Sequence, residues 1–169
     1  LGKLCKLLKV PVVTLICHGH HVNSPFWNLH DRGVKPTEAI MTLQFTAEEL
    51  KTATPDEINE RLVEAFRYDD YSWQKEKGIR VTYEKRAEGL HKVLYQCPHC
   101  GAEYRMASQG TALFCRACGK RWQYTELGEL RAETGETEFP HIPDWYEWER
   151  GNVRAEVEGK PRFTYMEQK

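Results

Sequence analysis

The sequence predicts an α+β protein: part of an α/β domain followed by a small β zinc ribbon. Three observations predict it. A helix-like segment runs directly into a β-branched apolar run over residues 2–17, which is an α/β signature. Two Cys-x-x-Cys knuckles, Cys97-Pro98-His99-Cys100-Gly101 and Cys115-Arg116-Ala117-Cys118-Gly119, stand fourteen residues apart. An aromatic helical pattern opens at Pro143-Asp144. The expected plan is residues 1–90 as the α/β part, 91–127 as the ribbon, and 128–169 as a linker and aromatic helix leading into a further region.

The elements follow in order. Residues 2–9 place Leu4, Leu7 and Leu8 on one helical face and Lys3, Lys6 and Lys9 on others. Val10 to Cys17 is almost continuously apolar and β-branched, which predicts a strand covered on both faces, as in a parallel sheet. Gly19, Pro25 and Gly33 make His18 to Lys35 a loop, and Thr37 to Phe45 reads as a second strand. Thr46-Ala47-Glu48-Glu49 and Thr54-Pro55-Asp56-Glu57 are capping boxes, the second with proline at the first helical position. Ile58, Leu62, Ala65 and Phe66 mark the apolar stripe of a helix ending near Arg67. Tyr68 to Tyr83 is partly helical, with Gly78 interrupting it. Lys92 to Thr125 reads as short strand, knuckle, hairpin through Gln109-Gly110, second knuckle and a closing strand with Trp122 and Tyr124. Gly128 to Glu138 is a hairpin or linker, and the last helix carries Trp145, Tyr146, Trp148, Val153 and Val157. No stop signal appears from Gly159 to Lys169.

Composition narrows the function classes. The 169 residues are 40% hydrophobic and 29% charged, a globular balance. A net charge of −1 gives no whole-chain attraction to nucleic acid or anionic lipid. Four of six cysteines have metal spacing and the other two, Cys5 and Cys17, lie in apolar segments, which points to a reducing, cytoplasmic setting. No apolar run approaches the roughly 18 residues of a membrane span.

Cys97, Cys100, Cys115 and Cys118 are therefore the candidate metal ligands. Two facing knuckles place four sulfurs around one ion, and the glycine after each pair allows a tight turn. Zn²⁺ is the expected cofactor; a thioredoxin-like redox pair needs only one such motif, and rubredoxin-like iron is the other competitor. Four thiolates close the coordination sphere, so the ion is structural rather than catalytic. His99 either replaces a cysteine or points to solvent. Across the ribbon Arg105, Arg116, Lys120 and Arg121 oppose Glu103, a surplus that four thiolates on Zn²⁺ reduce to about +1. Phosphate binding uses a denser basic surface, so nucleic acid is not the expected partner. Tyr104, Phe114, Trp122 and Tyr124 are expected to cover the small ribbon core.

The block Gly2-Lys3-Leu4-Cys5-Lys6-Leu7-Leu8-Lys9-Val10-Pro11-Val12-Val13 resembles the fourth sequence block of the glycerophospholipid acyltransferases, the bacterial 1-acyl-glycerol-3-phosphate acyltransferases. In these a helix leads into a Val-Pro-Val strand. The order downstream is similar too: a histidine- and Trp27-containing loop, a strand, then a capped helix at Thr54-Pro55-Asp56-Glu57-Ile58. Tyr68-Asp69-Asp70-Tyr71-Ser72-Trp73-Gln74, the inserted four-cysteine ribbon and His141-Ile142-Pro143-Asp144-Trp145-Tyr146 resemble a clostridial-type subset.

The resemblance implies a transferase of phospholipid biosynthesis, moving an acyl group from a thioester of CoA or acyl carrier protein to lysophosphatidate. It also implies a peripheral position on the cytoplasmic face of the membrane. The family's chemistry uses a His-x₄-Asp pair and a Phe-Pro-Glu-Gly block. Neither is present: the residues five after the seven histidines are Asn23, Pro25, Phe26, Lys35, Gln96, Tyr104 and Tyr146. The expectation is a downstream portion of such an enzyme, inactive alone, with no catalytic or cofactor-binding residue assigned. Its first strand would lack sheet neighbours, leaving apolar surface exposed near Val12 to Ile16. The histidines of His18-Gly19-His20-His21 are expected to be solvated, with Asp31 the only nearby acidic partner. The lysines of the first helix are read as a solvated face, and the aromatics of the last helix as packing against the ribbon. The competing class is a non-enzymatic zinc-ribbon adaptor for protein or nucleic acid.

Overall fold

The computed structural model describes residues 1–33 and 37–159; the end of the loop expected over 18–35 and the segment 160–169 lie outside them. The chain is α+β and forms two compact units, Leu1–Pro25 with His30–Arg80, and Phe26–Leu29 with Val81 onward. The division falls at Arg80 rather than at 90. Val81 N–H donates to Glu126 O and Ala87 N–H to Gly110 O, so residues 81–90 are tied to the ribbon's own backbone.

The first unit holds α1 (Gly2–Leu8), β1 (Val12–His18), the single turn α2 (His20–Asn23), β2 (Glu38–Phe45), α3 (Glu49–Thr52), α4 (Pro55–Ala65) and α5 (Asp70–Glu76). Phe45, Leu50, Ile58 and Leu62 form its core, with Cys5, Val12 and Ala53 packed against them. Gly2 and Cys5, rather than the leucine stripe, form the inward face of α1, and Leu4, Leu7 and Leu8 are exposed. The reason is close approach: a Cβ on Gly2 would lie 2.1 Å from the Pro55 carbonyl oxygen. That contact, with Gly2 N–H donating to Asn59 Oδ1 at 2.8 Å and Lys6 Nζ to Ala53 O at 2.5 Å, sets the rotation of α1.

β1 corrects the expectation of a parallel, doubly covered strand. It pairs antiparallel with β2 in a two-stranded sheet, Val13 opposite Leu43 and Leu15 opposite Met41. Thr14 is buried and accepts from Gln44 Nε2 at 2.9 Å, whereas Val13, Leu15, Met41 and Leu43 are all more than half exposed. Apolar surface is therefore exposed beside Val12 to Ile16, as the sequence suggests. Composition reports that both faces favour burial; it does not report which partner strand the chain supplies.

Both capping boxes form. Thr46 N–H donates to Glu49 Oε2 and Glu49 N–H to Thr46 Oγ1; Thr54 and Glu57 repeat the exchange at 2.7 and 3.2 Å. Ile58 and Leu62 are buried, but Phe66 lies past the last turn of α4 and is exposed. Asp69 caps α5 by accepting from Tyr71 N–H, and Gly78, at φ 64°, ends the segment.

In the second unit a 3₁₀ turn (Leu90–Lys92) precedes the antiparallel sheet β3 (Met106–Gln109), β4 (Ala112–Cys115), β5 (Arg121–Tyr124) and β6 (Leu130–Ala132), in that order. The sheet thus runs beyond 127: the segment read as hairpin or linker supplies β6, whose Leu130 is fully buried. The last helix, α6 (Ile142–Gly159), places Trp145 edge-on to Trp122 at 5.0 Å, both fully buried. Tyr146 of the same turn stays exposed.

Thr54→Ala removes the hydroxyl that closes the α4 box. Thermal or urea unfolding should show a loss of about 1 kcal/mol, with no change in the metal content of the chain.

Candidate metal centre

Each knuckle is built by the same local chemistry. Cys97 N–H donates to Ala102 O and Gly101 N–H to Cys97 O; Cys115 N–H donates to Lys120 O and Gly119 N–H to Cys115 O. The reversal needs a left-handed residue after the second cysteine, supplied by Gly101 at φ 74° and Gly119 at φ 80°. The first knuckle is framed by the Gln96–Glu103 bridge, and the second begins at the last residue of β4. The hairpin β3–β4 brings the two together.

The four sulfurs lie within 4.8 Å of one another, with Cys97–Cys118 and Cys100–Cys115 each at 3.8 Å. A tetrahedron with metal–sulfur bonds of about 2.3 Å has sulfur–sulfur edges of about 3.8 Å. The donor set therefore fits one ion bound by four thiolates. Cys97 and Cys115 are buried, and Cys100 and Cys118 are exposed. Burial pushes the Cys97 thiol well up, so without a cation it stays protonated. Burial also opposes Cys115, but the N–H groups of Cys118 and Ala117 outweigh it and lower that thiol.

His99 is not among the ligands. Its Nδ1 lies 3.3 Å from Glu138 Oε1, and its side chain is exposed. Burial opposes ionisation of Glu138, yet Lys120 Nζ at 2.8 Å and the Trp122 indole N–H hold its carboxyl below the usual range.

α6 is fastened to the residue preceding Cys97. Gln96 N–H donates to Glu149 Oε1 at 2.8 Å, Trp145 Nε1 donates to Gln96 O at 3.0 Å, and Asn152 Nδ2 to Gln96 Oε1 at 2.8 Å. Glu149 is 1% exposed, and among the described residues its Oε2 has no hydrogen-bond partner. Burial, with a smaller contribution from the Glu103 charge, outweighs the donors and raises its pKa to about 7. Sequence reading missed this carboxylate because nothing local separates it from the exposed acids on the same helix.

The histidine loop in the first unit departs from expectation. His18 Nδ1 lies 3.1 Å from Asp70 Oδ1, and His21 Nε2 lies 3.1 Å from Tyr71 Oη. Burial lowers the His21 pKa, against the pull of Asp70. Of the cluster only His20 is exposed. Asp31 is turned to its own loop, accepting from Gly33 N–H at 2.8 Å. The anchors lie about fifty residues downstream, beyond any spacing rule. Among the described residues the four cysteines are the only group of three or more potential ligands close enough to share an ion.

The fold and the site define an α+β protein whose second unit holds a four-cysteine cluster able to bind a metal ion. Compared with known protein families, with curated proteins and with solved structures, the chain gives no match.

Two outcomes follow from this geometry. Metal analysis of the purified chain should find one bound ion, lost together with near-ultraviolet signal from Trp122 and Trp145 in Cys115→Ser. For Glu149 the folded pKa of about 7 lies above the ordinary 4.5, so the folded state binds the extra proton between those values. The stability this contributes is complete below 4.5 and lost as pH rises through 7. Melting midpoints should fall across that window in the native chain, and Glu149→Gln should fall less steeply.

Proposed function

We propose that the ion is Zn²⁺ in a closed, structural site, and that the chain is part of a phospholipid-synthesising acyltransferase. The parent enzyme transfers an acyl group from acyl-CoA or acyl carrier protein to lysophosphatidate. The four converging sulfurs carry the zinc reading: a soft, closed donor set suits Zn²⁺ and leaves no position for a substrate. The resemblance of residues 2–13 carries the enzymatic reading. In keeping with it, that block forms a helix leading straight into a strand, with Pro11 at the junction.

The ribbon's role in this reading is to fix α6 through Gln96, not to take part in acyl transfer. The proton-handling His-x₄-Asp belongs to polypeptide other than these 169 residues. Among the described residues no helix is long and apolar enough to cross a membrane. The proposed peripheral attachment to the cytoplasmic face is what the resemblance implies for the parent enzyme.

X-ray absorption at the zinc edge should give four sulfur neighbours at about 2.3 Å. The coding sequence upstream of Leu1 should encode His-x₄-Asp and Phe-Pro-Glu-Gly. The extended protein should then acylate lysophosphatidate, while the 169 residues alone do not. An extended protein lacking both blocks and inert with either donor would sink the enzymatic reading in favour of a zinc-ribbon adaptor.

A further inference from the structure

Trp145 is buried against Trp122, but Tyr146, Val153 and Val157 of the same helix are about half exposed. With Glu149 they recur at helical spacing, and together with Tyr95 they line a groove of about 420 Å³ along α6. From Tyr146 to Val157 the helix rises about 16 Å. That is longer than a single small cation and matches about five residues of extended chain.

Two features give the groove its chemistry. Glu149 lines it almost fully buried, and among the described residues its Oε2 has no donor. A buried acceptor left open is unfavourable, and a donor supplied there gains more than one at the surface. The second feature is aromatic. Tyr104 stacks on Tyr95 at 5.1 Å and 25°, and its N–H donates to Tyr95 O at 2.9 Å. Its backbone sits at φ 55°, where bulky side chains are rarely found, yet the residue is 80% exposed. The ring therefore does not cover the ribbon core as the sequence suggests. Strain held at a residue that buries so little points to a use for its open face.

The charge around these rings is acidic. Burial raises the Tyr95 phenol, and the charges of Glu149, Glu103 and Glu156 raise it further, so three carboxylates act at this point. Glu158 also lines the groove. Against them stand Arg154 and Arg150, and Arg150 is engaged with Glu147 Oε1 at 2.7 Å. Phosphates of nucleic acid or lipid meet repulsion here, whereas a cation is drawn both by the carboxylates and by the tyrosine faces. A guanidinium suits the site better than an ammonium, because its plane stacks on an aromatic ring while its N–H groups bond a carboxylate.

We propose that the α6 groove binds an extended segment of a partner protein, with an arginine seated between Tyr95 and Glu149 and an apolar neighbour against Val153 and Val157. The site lies wholly in the second unit and does not depend on the acyltransferase reading.

The test is an NMR titration of the ¹⁵N-labelled chain at pH 8, above the Glu149 pKa of about 7. The probes are the end-capped pentapeptides Ala-Leu-Arg-Leu-Ala and Ala-Leu-Glu-Leu-Ala. The arginine peptide should move the amide signals of Tyr95, Glu149 and Val153, and the glutamate peptide should not. Glu149→Gln keeps an acceptor for the Gln96 N–H but removes the charge, and binding should weaken at least tenfold. Val153→Arg sets a competing cation in the groove from a half-exposed position; it should weaken binding as much while leaving the melting temperature unchanged. No response to the arginine peptide, an equal response to the glutamate peptide, or undiminished affinity in Val153→Arg overturns the proposal. So does tighter binding of a single-stranded oligonucleotide at the same signals.

Discussion

Four sulfurs held within 4.8 Å of one another cannot all ionise without a cation between them, and much of the second unit depends on how that crowding is resolved. The two knuckles bury little of their own: Cys100, Cys118 and both knuckle glycines face solvent. What the ion would lend is cross-linking. It joins the start of the ribbon to the end of β4, and so holds the segment that presents Gln96 to α6. A small four-stranded sheet gains from such a staple.

Glu149 shows the cost of that arrangement. The backbone around Gln96 is turned towards the helix and needs an acceptor, which the carboxylate provides from a buried position. A glutamine could accept the same N–H without carrying charge, so the acid is not required by packing alone. Its raised pKa places the protonation change near neutrality and couples the docking of α6 to pH.

The first unit is organised by a different constraint. Its core is one-sided: Thr14 and Gln44 pair inward while Val13, Leu15, Met41 and Leu43 face outward. The proposal of a larger enzyme gives that apolar face a use, as surface for further polypeptide of the same domain. At the end of the same strand the histidine cluster is drawn onto α5, so the loop that looks solvated in sequence is structured by residues far along the chain.

Local chemistry was legible from residues alone. The capping boxes at Thr46 and Thr54, the knuckle glycines, the hairpin at Gly110 and the paired cysteines of each knuckle are all specified within a few neighbours. Relations over longer distances were not. The antiparallel pairing of β1, the inward turn of Gly2 on α1, the recruitment of β6, the burial of Glu149 and the His18–Asp70 contact depend on partners remote in sequence. Periodicity records that a face prefers burial or that a side chain can bond. Only tertiary structure chooses the partner, because that choice is set by which distant segments can approach closely enough to exclude water.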